Sequence, residues 1–552
     1  MNKRLRQIIL SITTLGTLVF VFAFAGPGDN YFDITRNLDI FTSIYREINS
    51  YYVDEVEPEK VINQGIDEML ASLDPYTNYI PAEAKSAYAT QATGQYGGIG
   101  ALVGSRNGKP TIIMPYPGYP AHSAGLKIGD AIIKVDGKTE PGDGSGDLSQ
   151  LLKGDVGTRI VLTIERPGEP APFDVTLTRK IITINNVRYQ GMVAGKVGYI
   201  RLTDFTTEAG DEVKNAVVDL RSKGATSIIL DLRGNPGGLL NEAINVANVF
   251  IPRGKVALKT QGRVSEWNKT YKTLNEPLDT DIPMAVLINS GSASAAEIVA
   301  GVIQDYDRGV LLGEKSFGKG LVQSTRQLPY DAQVKITTAK YYTPSGRCIQ
   351  AIDYSLRNED GSVGKVPDSL KSAFTTEAGR TVYDGGGIDP DVEVEAEDMN
   401  LITYQLLRSG HLFNFATDYA LKHESIPAAE DFQLSDADYQ TFLSWLKTQD
   451  LDFESPLLEE FKDLQEKVDE AGWTQNLSAE MQALEQSLKP DPIAEARAHK
   501  GQIKAFLNEE IISRYYLQDG TIQASLVSDD VVLAAVEVLH DQQRYKSILS
   551  PR

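Results

Sequence analysis

Histidine is scarce in this chain and cysteine nearly absent. A single thiol, Cys348, excludes an internal disulfide framework and any multi-cysteine zinc site. The five histidines (His122, His411, His423, His499 and His540) are scattered without metal-ligand spacing. None falls between Gly198 and Gly387, so a local Ser-His pair is excluded from that stretch. A chemistry without cofactor or metal is therefore favoured. Positive charge is also short: 54 Lys+Arg against 75 Asp+Glu leave a net charge of −21. Such a surface repels nucleic acid and anionic membranes. What remains, 41% hydrophobic and 23% charged over 552 residues, is ordinary globular composition. The length suits three or four domains at about 150 residues each.

Lys3, Arg4 and Arg6 precede an uncharged apolar run from Ile8 to Ala25, and Ala23-Phe24-Ala25 offers a small-residue cleavage site. Residues 1–26 read equally as a signal peptide or as a marginal membrane anchor of about eighteen residues. Either form places the body outside the cytoplasm, in the periplasm or cell envelope, with the basic end left inside. Residues 31–92 have helical periodicity, with Leu38, Phe41, Tyr45 and Ile48 on one stripe. Residues 93–183 are rich in glycine and β-branched residues and predict short strands at Ile99–Val103, Thr111–Met114, Ala131–Val135, Ile160–Ile164 and Phe173–Leu177.

Over residues 184–398 strands and helices alternate. The apolar runs Ser227–Leu232 and Met284–Asn289 read as strands buried on both faces, followed by helices at Leu239–Val249 and Ala295–Gln304. Residues 399–552 turn helical and acidic, with stripes at Leu457, Phe461, Leu464, Val468 and at Val532, Val536, Leu539. No chemistry is legible there, and the region reads as a structural or interaction module.

Two residues 25 positions apart stand out. Ser294 lies in Ser290-Gly-Ser-Ala-Ser-Ala-Ala-Glu297, between an apolar strand and a helix; Lys319 lies in the glycine-rich turn Gly313–Gly320. A serine needs a base to become a nucleophile, and a neutral lysine can be that base. Taken singly, each has an ordinary reading. Ser294-x-x-Glu297 is a capping box, and a lysine in a glycine turn is usually solvated. Gly313-x-x-x-x-Gly318-Lys319 also matches part of a phosphate-binding loop, but Gly320 stands where that motif needs Ser or Thr, and β-like sequence follows. A third block, Leu230-Asp-Leu-Arg-Gly-Asn-Pro-Gly-Gly238, follows a buried strand. Gly237 and Gly238 can present unobstructed backbone N–H groups to a developing oxyanion, and the amide of Ala295 is a natural further donor.

In order, these blocks resemble the C-terminal processing (tail-specific) serine peptidases. Tyr199-Ile-Arg-Leu202, Gln304-Asp-Tyr306, Gly318-Lys-Gly-x-x-Gln323, Tyr341-Tyr-Thr-Pro-Ser-Gly-Arg347 and Gly387-Ile-Asp-Pro-Asp391 also fit, and the resemblance runs from about residue 31 to 395. It implies Ser294 as nucleophile, Lys319 as general base and Gln323 as the residue that orients Lys319. It further implies a multidomain α+β architecture: a crotonase-like ββα core, N-terminal helices, an inserted PDZ domain and a C-terminal helical extension. Pro120–Lys138 resembles the PDZ domain of these enzymes, and Gly98, Ile99, Gly100 and Ala101 fit its carboxylate-capturing loop. The partners implied are proteins with exposed C-terminal tails; the C-terminal helices offer a surface for a homo-oligomer or a regulatory partner. No cofactor is implied. A free lysine has a pKa of about 10.4, so desolvation must keep Lys319 neutral for it to act. Two rivals remain: a catalytically silent PDZ scaffold and a phosphate-loop nucleotide hydrolase.

Overall fold

The computed structural model describes residues 29–139, 151–357, 363–395, 397–451, 456–488 and 491–551. The expected signal segment lies outside them. Among the described residues no helix is long and apolar enough to cross a membrane. The described residues form two compact units, one reaching from Asp29 to Ala82 together with Thr325–Ile336, the other comprising the remaining described residues.

In the first unit, α1 (Asp29–Tyr51) and α2 (Pro58–Ala71) precede strand β1 (Asn78–Ile80), which pairs antiparallel with Gln333–Lys335. The sequence predicted helix throughout; a strand forms instead after Leu73-Asp74-Pro75. The carboxylate of Asp74 accepts the N–H groups of Tyr76 and Thr77 and so turns the chain. Leu38, Phe41 and Ile48 lie on the helix as expected but remain exposed.

The second unit begins with α3 (Lys85–Thr93) and β2 (Gln95–Gly98). An antiparallel sheet follows in the order β3-β4-β5-β7-β8: β3 (Ala101–Arg106), β4 (Lys109–Pro115), β5 (Ala131–Val135), β7 (Arg159–Glu165) and β8 (Phe173–Thr178). The short helix α4 (Pro120–Ser123) precedes β5, and β6 (Lys138–Thr139) pairs with β5. Strand β9 (Lys180–Thr183) pairs back with β2. Ile112, Ile132, Ile160, Leu162 and Ile164 form the core of this module. The first strand starts two residues later than predicted because Gly100, at φ 74°, turns the backbone before Ala101.

The central sheet has the order β10-β11-β12-β15-β16-β23. It comprises β10 (Val187–Val193), β11 (Val197–Leu202), β12 (Ser227–Asp231), β15 (Met284–Ile288), β16 (Val310–Gly313) and β23 (Val392–Glu393). Only the β10–β11 pair is antiparallel. Side chains alternate across a strand, and here both sets are buried. Ile228, Leu230, Met284, Val286 and Leu311 face one core with α5 (Ala209–Ser222), α6 (Leu240–Phe250) and α7 (Ala295–Asp305). Ile229, Ala285, Leu287, Val310 and Leu312 face a second core built with C-terminal residues. This explains the uninterrupted apolar runs. Beside it, β13 (Val256–Gln261) pairs with β14 (Lys269–Lys272) and with the end of β18 (Gln333–Tyr342), after β17 (Leu321–Gln327). Two small hairpins, β19 (Ile352–Arg357) with β20 (Val363–Lys365) and β21 (Ala373–Thr375) with β22 (Thr381–Tyr383), precede β23.

Helices α8 (Leu401–Arg408), α9 (His411–Lys422), α10 (Asp436–Leu446), α11 (Pro456–Glu470), α12 (Thr474–Leu488), α13 (Pro492–Ala498) and α14 (Lys500–Ser525) make up most of the C-terminal region. Leu406, Phe415, Phe442, Leu507 and Ile511 lie in its own core. On α11 only Phe461 and Val468 of the expected stripe are buried. Helix α14 breaks at Leu517, with φ 55° and ψ −154°. Before the break it serves the helical core; after it Ile522 and Leu526 join α15 (Asp530–His540) and α16 (Gln542–Ile548) on the central sheet. The C-terminal region is thus not merely appended: its last helices cover one face of the sheet.

Candidate active site

Helix α7 opens at Ala295, directly after Ser294, which has φ 55° and ψ −111°. An ordinary helix cap is extended, so capping alone does not account for this backbone. Holding a non-glycine residue in such a region costs about 1–3 kcal/mol and persists only where its surroundings enforce it. The enforcing contacts are specific. Glu297 Oε2 accepts the Ser294 N–H at 2.8 Å, Asn235 O accepts the Ala293 N–H at 2.9 Å, and the Tyr341 hydroxyl donates to Ser294 O at 3.3 Å. The other serine of the block, Ser292, is buried and fully engaged: its Oγ donates to Leu232 O at 2.8 Å and accepts from Asn289 N at 3.0 Å.

Glu297 is the hub of the site. Beyond Ser294, its Oε2 accepts the Lys319 N–H at 2.9 Å; its Oε1 accepts the Ser316 hydroxyl at 2.6 Å and the Gly318 N–H at 2.7 Å. Four donors suit an ionised carboxylate, which only accepts. Burial pushes its pKa above the ordinary carboxylate range, and the four hydrogen bonds pull the other way. Ser316 Oγ also accepts the Ile388 N–H at 2.7 Å, which fixes the lysine loop from its far side. Gly318 is at φ 88°, and a Cβ there would lie 2.4 Å from that of Ala351, so only glycine fits. Lys319 is half-buried. Strand β17 follows it, not a helix; a phosphate-binding loop needs a helix N-terminus there, and that rival reading is dropped.

The glycine block is bonded to the elements around it at several points. Gly234 N donates to Asn289 Oδ1 at 2.9 Å, and Asn235 Nδ2 donates to Leu202 O at 2.8 Å. One expectation is corrected here. Gly237 was expected to offer its amide, but that N–H donates to Asn235 Oδ1 at 2.8 Å. Asparagine side chains commonly bond the backbone two residues on, and this one closes such a turn. Gly237 matters for its shape: a Cβ would lie 2.7 Å from Ala293 O, 2.8 Å from Ala295 N and 2.9 Å from Ser294 Cβ. The N–H groups of Gly238 and Ala295 donate to no other described group.

Gln323 lies on β17, half-buried, with Nε2 donating to Thr337 Oγ1 at 3.2 Å. Gly98 ends β2; Ile99 O and Gly100 O accept the N–H groups of Ala121 and Tyr116; Ala101 opens β3. Strand β3 has β4 on one side and no strand on the other among the described residues. His122 is exposed in this module. Burial raises the Cys348 thiol pKa, which does not suit a nucleophile.

Sequence reasoning read Glu297 only as a cap. The capping box was the available signal, but three of the four donors come from elsewhere. It also missed Asn235, Ser316 and Tyr341, and the buried Arg347, which donates to Gln304 Oε1 at 2.7 Å and Asp305 Oδ1 at 2.8 Å at the far end of α7.

Residues 196–355 match the model of peptidase family S41, residues 112–166 a PDZ domain, and residues 402–539 the C-terminal helical domain of probable PDZ-proteases. The carboxy-terminal-processing protease of Bartonella bacilliformis is 36% identical over 354 residues, covering 63% of this chain and 81% of that protein. A probable CtpA-like serine protease of Staphylococcus aureus strain N315 is 34% identical over 350 residues, covering 62% and 69%. Among solved structures, a photosystem II D1 C-terminal processing protease is 27% identical, covering 65% of this chain and 92% of that one, at a TM-score of 0.34. The chain belongs to peptidase family S41, as a PDZ-bearing serine protease of the carboxy-terminal-processing type.

Proposed function

We propose that this protein is an exported endopeptidase that captures protein C-terminal tails in its PDZ domain and cuts them with a Ser294–Lys319 dyad. One observation carries the reading: the main-chain amides of nucleophile and base hang on a single buried oxygen, Glu297 Oε2. Neutral Lys319 takes the Ser294 Oγ proton as Oγ bonds to the scissile carbonyl carbon. The amides of Gly238 and Ala295 hold the resulting oxyanion. Lys319 then returns the proton to the leaving amine as the C–N bond breaks. A water molecule, deprotonated by the Lys319 amine, then attacks the acyl carbon, and the proton passes to Ser294 Oγ as the ester bond breaks and the acid product leaves. With Nε2 committed to Thr337, Gln323 has Oε1 with which to orient Lys319.

The tail adds as a strand to the open edge of β3, its carboxylate held by the Gly98–Ala101 loop. Residues 1–26 direct export, and the C-terminal helices offer a surface to a second copy or a regulatory partner. The test uses purified protein and an unfolded substrate with an exposed apolar tail, products being identified by mass spectrometry. Wild type cleaves, with or without EDTA; Ser294→Ala and Lys319→Ala do not; amidating the substrate's C-terminus slows cleavage. Tail binding by wild type without any product would leave a scaffold in place of an enzyme.

A further inference from the structure

We propose that Asp529, in the C-terminal helical region, is a positioning residue for catalysis: through Arg233 it holds the glycine loop against Ser294. This rests on the reading of Gly238 and Ala295 as oxyanion donors.

Arg233 is the residue from which that loop departs. Inward, it binds Asp231, the fully buried last residue of β12. Arg233 N donates to Asp231 Oδ1 at 2.9 Å, Nε to the same oxygen at 3.0 Å, and Nη2 to Oδ2 at 2.6 Å, while the Tyr199 hydroxyl donates to Oδ2 at 2.7 Å. Outward, its Nη1 and Nη2 donate to Asp529 Oδ1 and Oδ2 at 3.0 and 2.8 Å. Asp231 alone matches the guanidinium charge. The second carboxylate therefore adds geometry more than neutralisation: a two-point clamp on the planar fork.

The clamp is itself fixed. Asp529 Oδ1 caps α15, accepting the N–H groups of Val531 and Val532 at 3.0 Å each. Val531, Val532, Ala535, Val538 and Leu539 seat that helix on the central sheet. One helix further on, the Tyr545 hydroxyl bonds both N and O of Met284, the first residue of β15. The segment from Asp529 to Tyr545 is thus pinned at both ends of the sheet that carries Arg233. Beyond Arg233, the loop reaches Gly237, whose backbone abuts Ser294. Loss of the clamp leaves Arg233 on Asp231 and the fold intact, but frees the outer flank of the loop. Displacements of ångström size or less at a reacting centre lower rate strongly.

The test uses the full chain with Asp529→Asn, since asparagine caps helices as well as aspartate and removes only the charge. Arg233→Lys, which keeps the charge and loses the fork, is the second variant. Turnover is measured on a tail-bearing peptide, alongside affinity for a peptide boronate, whose tetrahedral adduct needs the oxyanion donors, and for the same peptide with a free carboxylate. We expect kcat and boronate affinity each to fall about tenfold in both variants, with KM and plain-peptide affinity unchanged and, in Asp529→Asn, melting within about 2 °C of wild type. Unaltered kcat and boronate affinity in Asp529→Asn overturn the proposal, as does a loss of kcat that tracks a fall in melting temperature. Ser294→Ala separates the two levels. If it still cleaves, the dyad reading fails; if it is dead while Asp529→Asn is fully active, this inference alone fails.

Discussion

Ser294 and Lys319 donate their main-chain N–H groups to the same atom, Oε2 of Glu297, at 2.8 and 2.9 Å. The helix that begins at one residue and the loop that carries the other therefore cannot separate without stranding a buried carboxylate. Much of the site's rigidity follows from this one group.

Glu297→Gln keeps the shape but turns an amide NH2 toward main-chain donors. The clash of donors should cost about 1–3 kcal/mol in stability and lower kcat/KM about a hundredfold through lost alignment. Thermal melting and steady-state kinetics on one preparation check this. Reduced melting temperature with wild-type kinetics would mean that the carboxylate only supports the fold.

The two serines of the block should part company. Ser294→Gly and Ser294→Ala both lose activity, but glycine relaxes at φ 55° and should be the more stable by about 1–2 kcal/mol. Ser292→Ala leaves the Asn289 N–H and Leu232 O without their partner, so it should melt lower yet still cleave. An inactive, stable Ser292→Ala would contradict the assignment.

Gly237→Ala introduces a Cβ within 3 Å of Ala293 O, Ala295 N and Ser294 Cβ at φ 96°. Left-handed strain and overpacking together should cost about 2–4 kcal/mol, with kcat reduced more than KM is raised. Its amide already serves Asn235, so the loss should come from displacement. A structure of the variant with Ser294 unmoved would refute that cause.

Glu509 on α14 gives a pH signature. Burial, reinforced by Glu510 and opposed by Arg201, raises its pKa from 4.5 to about 7. The folded state then holds the proton more tightly than the unfolded chain. The stabilisation is complete below about pH 4.5 and is lost as pH climbs toward about 7. Glu509→Gln should flatten the melting-temperature profile across that window and melt higher than wild type at about pH 7.5. Parallel profiles in the two proteins would exclude this role.

Some of the site was legible because its signals are local. Alternation and apolar runs located β12 and β15 to within a residue, since a strand's period is a property of its own backbone. Ser294 stood out between such a strand and a helix, and the ordered blocks around it identified the family. The fate of the Gly237 amide was not legible. Two adjacent glycines in a turn look equally free on paper, and only the folded loop aims the Asn235 side chain at one of them.

By itself, the amino-acid order determined the buried strands β12 and β15, the helices that follow them and the family, and it singled out the pair proposed to react, because periodicity, glycine turns and short motifs act over a few neighbouring positions. Only the tertiary structure decided how those pieces are joined. It brought Gly318 and Lys319 onto Glu297 across 21 and 22 residues, and Asp529 onto Arg233 across 296. Bonds of that span depend on which loops meet once the sheet has buried both faces, and no local pattern in the chain encodes that meeting.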